Sequence, residues 1–299
     1  MPNSPIIVFD TMSLSFSNLT AHARTYLSNP KGLASDLLDF GPASAAKWLL
    51  SNLGAQVYTK IEYPIVHLQV TVKFDGTWRR IERGKMELDC IRQLAEVVKQ
   101  GSTVFDIGAF HGSYTLLLSH LVGESGKVRA FEPVPAIRSV LDDNVKRNGM
   151  ANVKTEPFCV SNTVGEVKIF LDPTGGTTSS IVGGQAGCQE NYLSVPATTI
   201  DNYCEENDTW PQGIKLDVEG AEASVIQGCL KVIRKCHPWI LLEFHGHLFR
   251  DDERTANWED IVRYATEVVF LEGANTDLTF GSRLNEMPDC SYFHVFVKY

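Results

Sequence analysis

The chain has no apolar run approaching the roughly 18 residues that a membrane span needs. It also lacks a surplus of positive charge: 27 lysines and arginines face 36 acidic residues, a formal net charge of −9. That balance repels phosphate backbones and anionic lipid, so broad contact with nucleic acid or a membrane surface is disfavoured. No internal repeat and no low-complexity segment is present. The start, Met1-Pro2-Asn3-Ser4-Pro5, lacks the basic region of a signal peptide, and the apolar stretch Ile6 to Phe9 is interrupted at once by Asp10. The seven cysteines (90, 159, 188, 204, 229, 236 and 290) show no CxxC spacing, which removes the usual signal for zinc or a dithiol redox pair. Reduced thiols in a cytoplasmic protein are the expectation. What remains is ordinary globular composition, 43% apolar over 299 residues, enough for one large core or one core with a small accessory unit.

The character of the chain changes near residue 86. In the accessory segment 1–84, Ala45, Ala46, Leu49, Leu50 and Leu53 share a helical face that Gly54 would cap. Val66, Leu68, Val70, Val72 and Phe74 then alternate with polar residues up to Asp75-Gly76, the pattern of a half-buried hairpin. This alternation could face the protein's own core or a second copy in a homodimer. From 85 to 299, helix and strand patterns take turns. Strands are predicted at 103–108, 127–133, 153–160, 214–218, 239–244, 268–271 and 292–297, and helices at 88–98, 113–122, 137–148, 221–235 and 256–266. Such alternation specifies a doubly wound, Rossmann-like α/β sheet, and ligands of these sheets sit beyond the carboxyl ends of the strands. Between a strand-like 167–171 and Thr199, five glycines in Pro173 to Gly187 suggest a substrate lid or a plain surface loop.

The first strand ends in Asp106-Ile-Gly108-Ala109-Phe110-His111-Gly112-Ser113, a glycine turn opening a helix whose N-terminal amides favour a carboxylate or phosphate. Glu132, followed by Pro133, ends the second strand, where this architecture places an acid for ribose hydroxyls. Asp106 decides between adenosyl ligands. A pyrophosphate would be repelled by it, whereas the ammonium of S-adenosylmethionine would be held, with the helix amides taking the carboxylate. The spacing is also not that of a dinucleotide fingerprint. His111 reads as a backbone-positioning or cofactor-contacting residue.

The fourth strand ends in Lys215-Leu-Asp217-Val-Glu219-Gly-Ala-Glu222, with alternation putting Asp217 and Glu219 on one face. This is not the Asn/Asp-Pro-Pro-aromatic turn common in enzymes that methylate base amino groups. Glu219 and Glu222 could equally do no more than favour a helix dipole. The fifth strand ends in Glu243-Phe-His245-Gly-His247; if it extends that far, its acid and two histidines lie beside the Asp217/Glu219 pair. Three roles stay open for His245: general base, structural histidine, or member of a His/carboxylate metal site.

These strings, together with Thr199-Ile-Asp201-Asn-Tyr203 and Leu242-Glu243, resemble the FkbM family of methyltransferases over about residues 85–250. The resemblance implies a class I methyltransferase fold with a seven-stranded sheet whose last strand, about Tyr292 to Val297, runs antiparallel. It implies S-adenosylmethionine as cofactor and methyl transfer to a hydroxyl of a sugar, glycan or polyketide-like natural product; no residue is assigned to a metal. By position, Asp106, Gly108 and Ala109 would form the cofactor turn, continued by His111, Gly112 and Ser113. Glu132 with Pro133 would meet the ribose, Ser161 the adenine side, and Glu87 the cofactor or a lid. His245, Asp217 and Glu219 would be the catalytic group. A fold that binds without catalysis, and a nucleotide-cofactor oxidoreductase, are the rival functions.

Overall fold

The computed structural model describes residues 6–9, 56–63, 65–73, 87–171, 192–248, 250–271 and 293–299. The predicted helix over residues 42–54, the Asp75-Gly76 turn and the glycine-rich 173–187 segment lie outside them. Two compact units divide the chain: Met1–Met86 with Lys146–Gly149, and Glu87–Val145 with Met150–Tyr299.

In the first unit β1 (Ile6–Phe9) pairs parallel with β2 (Gln56–Tyr63), and β2 pairs antiparallel with β3 (Leu68–Lys73). The hairpin partner of β3 thus precedes it in the chain. Its connection ends at His67, whose φ of 51° turns the chain through the left-handed region. Thr59 and Ile61 lie opposite Val72 and Val70, and all four are buried.

The second unit is built on a seven-stranded sheet: β4 (Thr103–Ile107), β5 (Lys127–Phe131), β6 (Val153–Glu156), β10 (Gly213–Leu216), β11 (Trp239–Phe244), β12 (Glu267–Phe270) and β13 (Phe293–Lys298). Their spatial order is β12-β13-β11-β10-β4-β5-β6, with β13 antiparallel to both neighbours, as the family resemblance implied. The chain starts at the centre, winds out to β6, and returns to β10 on the other side of β4. The crevice beyond β4 and β10 is therefore the topological switch point. The connecting helices are α1 (Leu88–Val97), α2 (Ser113–Val122), α3 (Pro135–Arg147), α4 (Ile200–Asn207), α5 (Glu222–Gln227), α6 (Leu230–Cys236) and α7 (Asp251–Val262).

Two predicted elements are divided. The strand expected over residues 153–160 becomes β6 and a separate β7 (Cys159–Val160), because Pro157 between them has no N–H to give a ladder. β7 joins β9 (Tyr192–Thr198) and β8 (Gly165–Phe170) in a small sheet instead. The helix expected over residues 221–235 breaks into α5 and α6 at Gly228, where a Cβ would fall 2.2 Å from the Ser161 carbonyl oxygen.

Alternation assigns the two faces of the large sheet. Phe105, Ile107, Ile214, Leu216, Leu242 and Phe244 point into one core with Trp258 of α7. The intervening positions Asp106, Lys215 and Glu243 occupy the opposite face. Among the described residues no helix is long and apolar enough to cross a membrane.

Candidate active site

The site grows from that second face. Lys215 on β10 is in register with Asp106 on β4, and Glu243 on β11 with His294 on β13. Two residues past Lys215 comes Asp217, and two past Glu243 comes His245, so the polar positions converge at the strands' carboxyl ends. β10 stops at Leu216 rather than running through Val218, and β11 stops at Phe244. It is a turn, with Glu219 at φ 53° and Gly220 at φ 99°, that swings Glu219 towards His245. Left-handed φ in a glutamate costs about 1–2 kcal/mol, a strain found chiefly at functional sites.

His245 is buried, with Nδ1 2.9 Å from Glu222 Oε1. Its Nε2 lies 3.5 Å from Glu219 Oε2, 3.7 Å from Glu243 Oε1 and 3.9 Å from Asp217 Oδ1. Burial opposes its charge, but Glu222, Asp217 and Glu219 outweigh that and raise its pKa to about 9. Lys215, also buried, donates to Asp217 Oδ2 at 2.8 Å and sits over the Tyr114 ring. Desolvation works against this ammonium too, yet Asp217, Glu243 and Asp106 keep it charged. Burial and the Glu243 charge push Asp217 well above the usual carboxylate range, while Lys215 and His245 pull it back. For Glu243 the balance is opposite. Burial raises it, but His294, Lys215 and His245 prevail and hold it strongly ionised. His294 Nε2 lies 3.3 Å from Glu243 and 3.7 Å from Glu87, and Glu87 accepts from the Tyr114 hydroxyl. His247, by contrast, is exposed on a short 3-10 turn, Gly246–Leu248, beyond the strand.

The turn after β4 meets this cluster directly. Gly108 has φ 78°, and a Cβ on it would lie 1.7 Å from the Asp217 carbonyl oxygen. The glycine is thus required by the approach of the fourth-strand loop, and the two loops form one wall. Gly112, at φ 95°, precedes α2, and a Cβ on it would fall 2.6 Å from a Leu141 methyl group. Ala109 N–H donates to the Phe131 carbonyl, and Ser113 begins α2. The His111 ring packs on Phe110 at 3.9 Å between centroids, while its carbonyl accepts from Asn144.

Asp106 is 1% exposed; Oδ2 accepts from Thr115 Oγ1 at 2.5 Å, and Oδ1 has no hydrogen-bond partner. Burial raises its pKa against the pull of Lys215. Glu132 lies at the end of β5, its two oxygens accepting from the Phe110 and Val134 amides. Burial lifts it to about 7 against those bonds. Pro133 follows, its carbonyl turned to Arg138. Ser161, after β7, is buried with its hydroxyl 3.2 Å from that of Thr163.

A seven-stranded sheet of this order with one antiparallel strand, and an acidic glycine turn at its switch point, define the class I methyltransferase architecture. Residues 106–269, more than half of the chain, match the profile of the Methyltransferase FkbM domain. The chain belongs to the FkbM methyltransferase family, whose cofactor is S-adenosylmethionine. A protein-L-isoaspartate O-methyltransferase of Methanococcus aeolicus is 29% identical over 84 residues, 26% of this chain; the chain spans 38% of that relative's length. Methyltransferase FkbM from Methylobacillus flagellatus KT has a similar solved structure, with 15% identity, 76% of this chain and 56% of that chain covered, and a TM-score of 0.43. So does a putative rRNA-methylase from Clostridium thermocellum, with 12% identity, 70% and 92% covered, and a TM-score of 0.44.

The donor set fits that cofactor. Asp106 keeps one carboxylate oxygen unsatisfied, which an ammonium would relieve, and Glu132 retains acceptor capacity for hydroxyls on both oxygens. Asp217, Glu243 and His245 place one ligand atom each within 4.8 Å of one another and could share a metal ion, but the Lys215 ammonium already occupies Asp217 Oδ2. Sequence reasoning passed over Lys215, Tyr114 and His294 as site members. Lys215 was signalled by its two-residue spacing from Asp217, whereas His294 needs the β11–β13 register to be seen.

Proposed function

We propose that the protein is an S-adenosylmethionine-dependent O-methyltransferase acting on a hydroxyl of a sugar, glycan or polyketide-like natural product. The observation that carries this reading is the packing of the Asp217–Glu219–Glu243–His245 cluster directly against the turn that carries Asp106 and Gly108. A neutral hydroxyl is a poor nucleophile until its proton is removed, and a buried carboxylate–histidine cluster next to the methyl donor supplies that step. When bound, S-adenosylmethionine contributes an electrophilic methyl group on its sulfonium. The chain's own residues do the rest. Asp106 would take the cofactor's ammonium, the N-terminal end of α2 at Ser113 would favour its carboxylate, Glu132 would take the ribose hydroxyls, and Ser161 would lie on the adenine side. Glu87 ties Tyr114 and His294 to the same wall.

The curated relative from Methanococcus aeolicus is also an O-methyltransferase, which favours oxygen as the acceptor atom. The net charge of −9 supports a small or glycan acceptor over nucleic acid. Cys159 and Cys204 are buried thiols whose pKa burial pushes to about 12, inert and in keeping with a reducing cytoplasm. Calorimetric titration with S-adenosylhomocysteine tests the reading. Saturable binding by the wild type, lost in Asp106→Ala and Glu132→Ala, is expected, and radiolabelled methyl transfer should then appear on hydroxylated sugars or polyketides. A folded wild-type protein that binds no S-adenosylhomocysteine refutes it.

A further inference from the structure

We propose that Glu222 is a positioning residue that fixes His245 as an imidazolium, so that His245 holds the acidic pair in place and Asp217, rather than the histidine, accepts the substrate proton. This rests on the O-methyltransferase reading above. The geometry of the ring makes the case. Nδ1 faces Glu222 Oε1 at 2.9 Å, and Nε2 faces oxygens of Glu219, Glu243 and Asp217 at 3.5, 3.7 and 3.9 Å. A neutral imidazole has one N–H and one lone pair, so either tautomer would point a lone pair at carboxylate oxygen. Only the doubly protonated ring presents N–H to both sides. Glu222 is 1% exposed and cannot turn away to water, and the same Oε1 also accepts the Gly220 amide at 3.0 Å. It is a fixed anion at the first turn of α5, aimed at Nδ1.

The surrounding charges agree. Glu243 faces His245 from its own strand, Asp217 and Glu219 from the loop after β10, and Glu222 from α5. Among the described residues, the neighbouring basic groups are Lys215 on β10, bonded to Asp217, and His294 on β13, beside Glu243. Burial opposes charge on His294, but Glu243 and Glu87 push its imidazole towards the charged form. The His247 ring lies 5.8 Å from that of His245, on the following turn. Among the described residues these carboxylates outnumber the basic groups, and each added positive charge lowers the repulsion among them. The raised pKa of His245, about 9, follows from the same arrangement.

An imidazolium cannot take a proton, which leaves the carboxylates. Glu222 is committed to His245 and Gly220, and Glu243 is held ionised by His294 and Lys215, which makes it a weak base. Asp217 and Glu219 both have a raised affinity for a proton. Asp217 gives only Oδ2 to Lys215, its side chain is 26% exposed against 19% for Glu219, and its carbonyl abuts the Gly108 turn, which places it nearer the methyl donor. In the balanced step the acceptor oxygen gains the methyl carbon, the electron pair of the broken carbon–sulfur bond stays on sulfur, and the hydroxyl proton rests on Asp217.

The test needs no acceptor. Full-length protein labelled with 15N-histidine is titrated from pH 5.5 to 9.5 by two-bond 1H–15N correlation spectra, with His245→Asn assigning the signal. Both ring nitrogens of His245 should be protonated at pH 7.5. Glu222→Gln should lower the midpoint by about one pH unit or more, the size expected for losing a charge-assisted bond, and Glu222→Asp should restore part of it. A neutral tautomer at pH 7.5 overturns the proposal, and the wild-type spectrum alone decides this if Glu222→Gln fails to fold. Spectra of 13Cγ-labelled aspartate should place the Asp217 midpoint above the ordinary carboxylate range, and higher still in His245→Asn. An ordinary midpoint removes Asp217 as the acceptor. Absent S-adenosylhomocysteine binding with an intact imidazolium signal would instead count against the methyltransferase reading and leave the Glu222–His245 pair standing.

Discussion

Replacing Glu132 by glutamine should make the cofactor-free protein relatively more stable as the pH rises, by an amount the structure sets. Burial lifts the Glu132 carboxyl from 4.5 to about 7, even though the Phe110 and Val134 amides both donate to it and pull the other way. Between those two pH values the folded protein holds a proton that the unfolded chain has already released, so stability falls as pH rises through this window. Below about 4.5 the carboxyl is protonated in both states and contributes no penalty; above about 7 the penalty is complete. At 1.36 kcal/mol per pH unit the full swing is about 3 kcal/mol. Glutamine does not titrate, but its single carbonyl oxygen cannot easily serve both amides, an offset of about 1 kcal/mol that is the same at every pH. Urea denaturation of the two proteins at pH 5, 6, 7 and 8 measures the difference, in which contributions from His245 and Asp217 cancel to first order. The difference, variant minus wild type, should start near zero at pH 5, where about 0.8 kcal/mol of the penalty is already present, and climb by about 2.5 kcal/mol by pH 8. Two parallel stability curves would refute the claim that this carboxylate is held in a desolvated site.

Gly108→Ala puts a methyl group 1.7 Å from the Asp217 carbonyl at a φ of 78°, and should cost about 2–4 kcal/mol in denaturant melts while weakening S-adenosylhomocysteine binding. A loss under 0.5 kcal/mol would mean that the two loops can separate freely. Asp106→Ala should reduce S-adenosylhomocysteine affinity by at least about tenfold in calorimetry, the scale of one charge-assisted bond; unchanged affinity would take Asp106 out of the cofactor site. Trp258→Ala removes a ring packed against Phe244, Phe270 and Phe293 and should cost about 3–5 kcal/mol by urea unfolding, with no bearing on the pH dependence of the site.

How far the fold could be read depended on where local pattern and tertiary register agree. Ser113–Val122 and Trp239–Phe244 fall where the periodicity put them, because a glycine turn before one and a long apolar run in the other leave no competing choice. The doubly wound sheet followed from the helix–strand alternation, and its antiparallel last strand from the family resemblance. What the pattern hid were interruptions with a tertiary cause. Pro157 separates two strands that read as one, and Gly228 ends a helix because the Ser161 carbonyl lies where its side chain would be. β9 was hidden as well, since Pro196 within Tyr192–Thr198 speaks against a strand; that residue lies opposite Glu166 on β8.

The candidate site was legible in the same uneven way, and for a reason that ties it to the core. Asp106 and Glu132 could be found because they end strands, and position along one strand is a property of the sequence. Lys215, Glu243 and His294 belong together only through register, which no single segment contains. That register is fixed from the other side of the sheet. Phe105 lies beside Ile214, and Ile107 beside Leu216, so their side chains fill the core while Asp106 and Lys215, one position along, share the opposite face. A slip of β10 by one residue would drive Lys215 and Asp217 into that apolar layer and expose Ile214 and Leu216 in their place. Burying an unpaired charge costs several kcal/mol, and losing a large buried aliphatic costs about 2–5 kcal/mol, so the slipped pairing is excluded by a wide margin. The buried hydrophobic positions are therefore what hold a net-negative cluster together at the switch point, against its own repulsion.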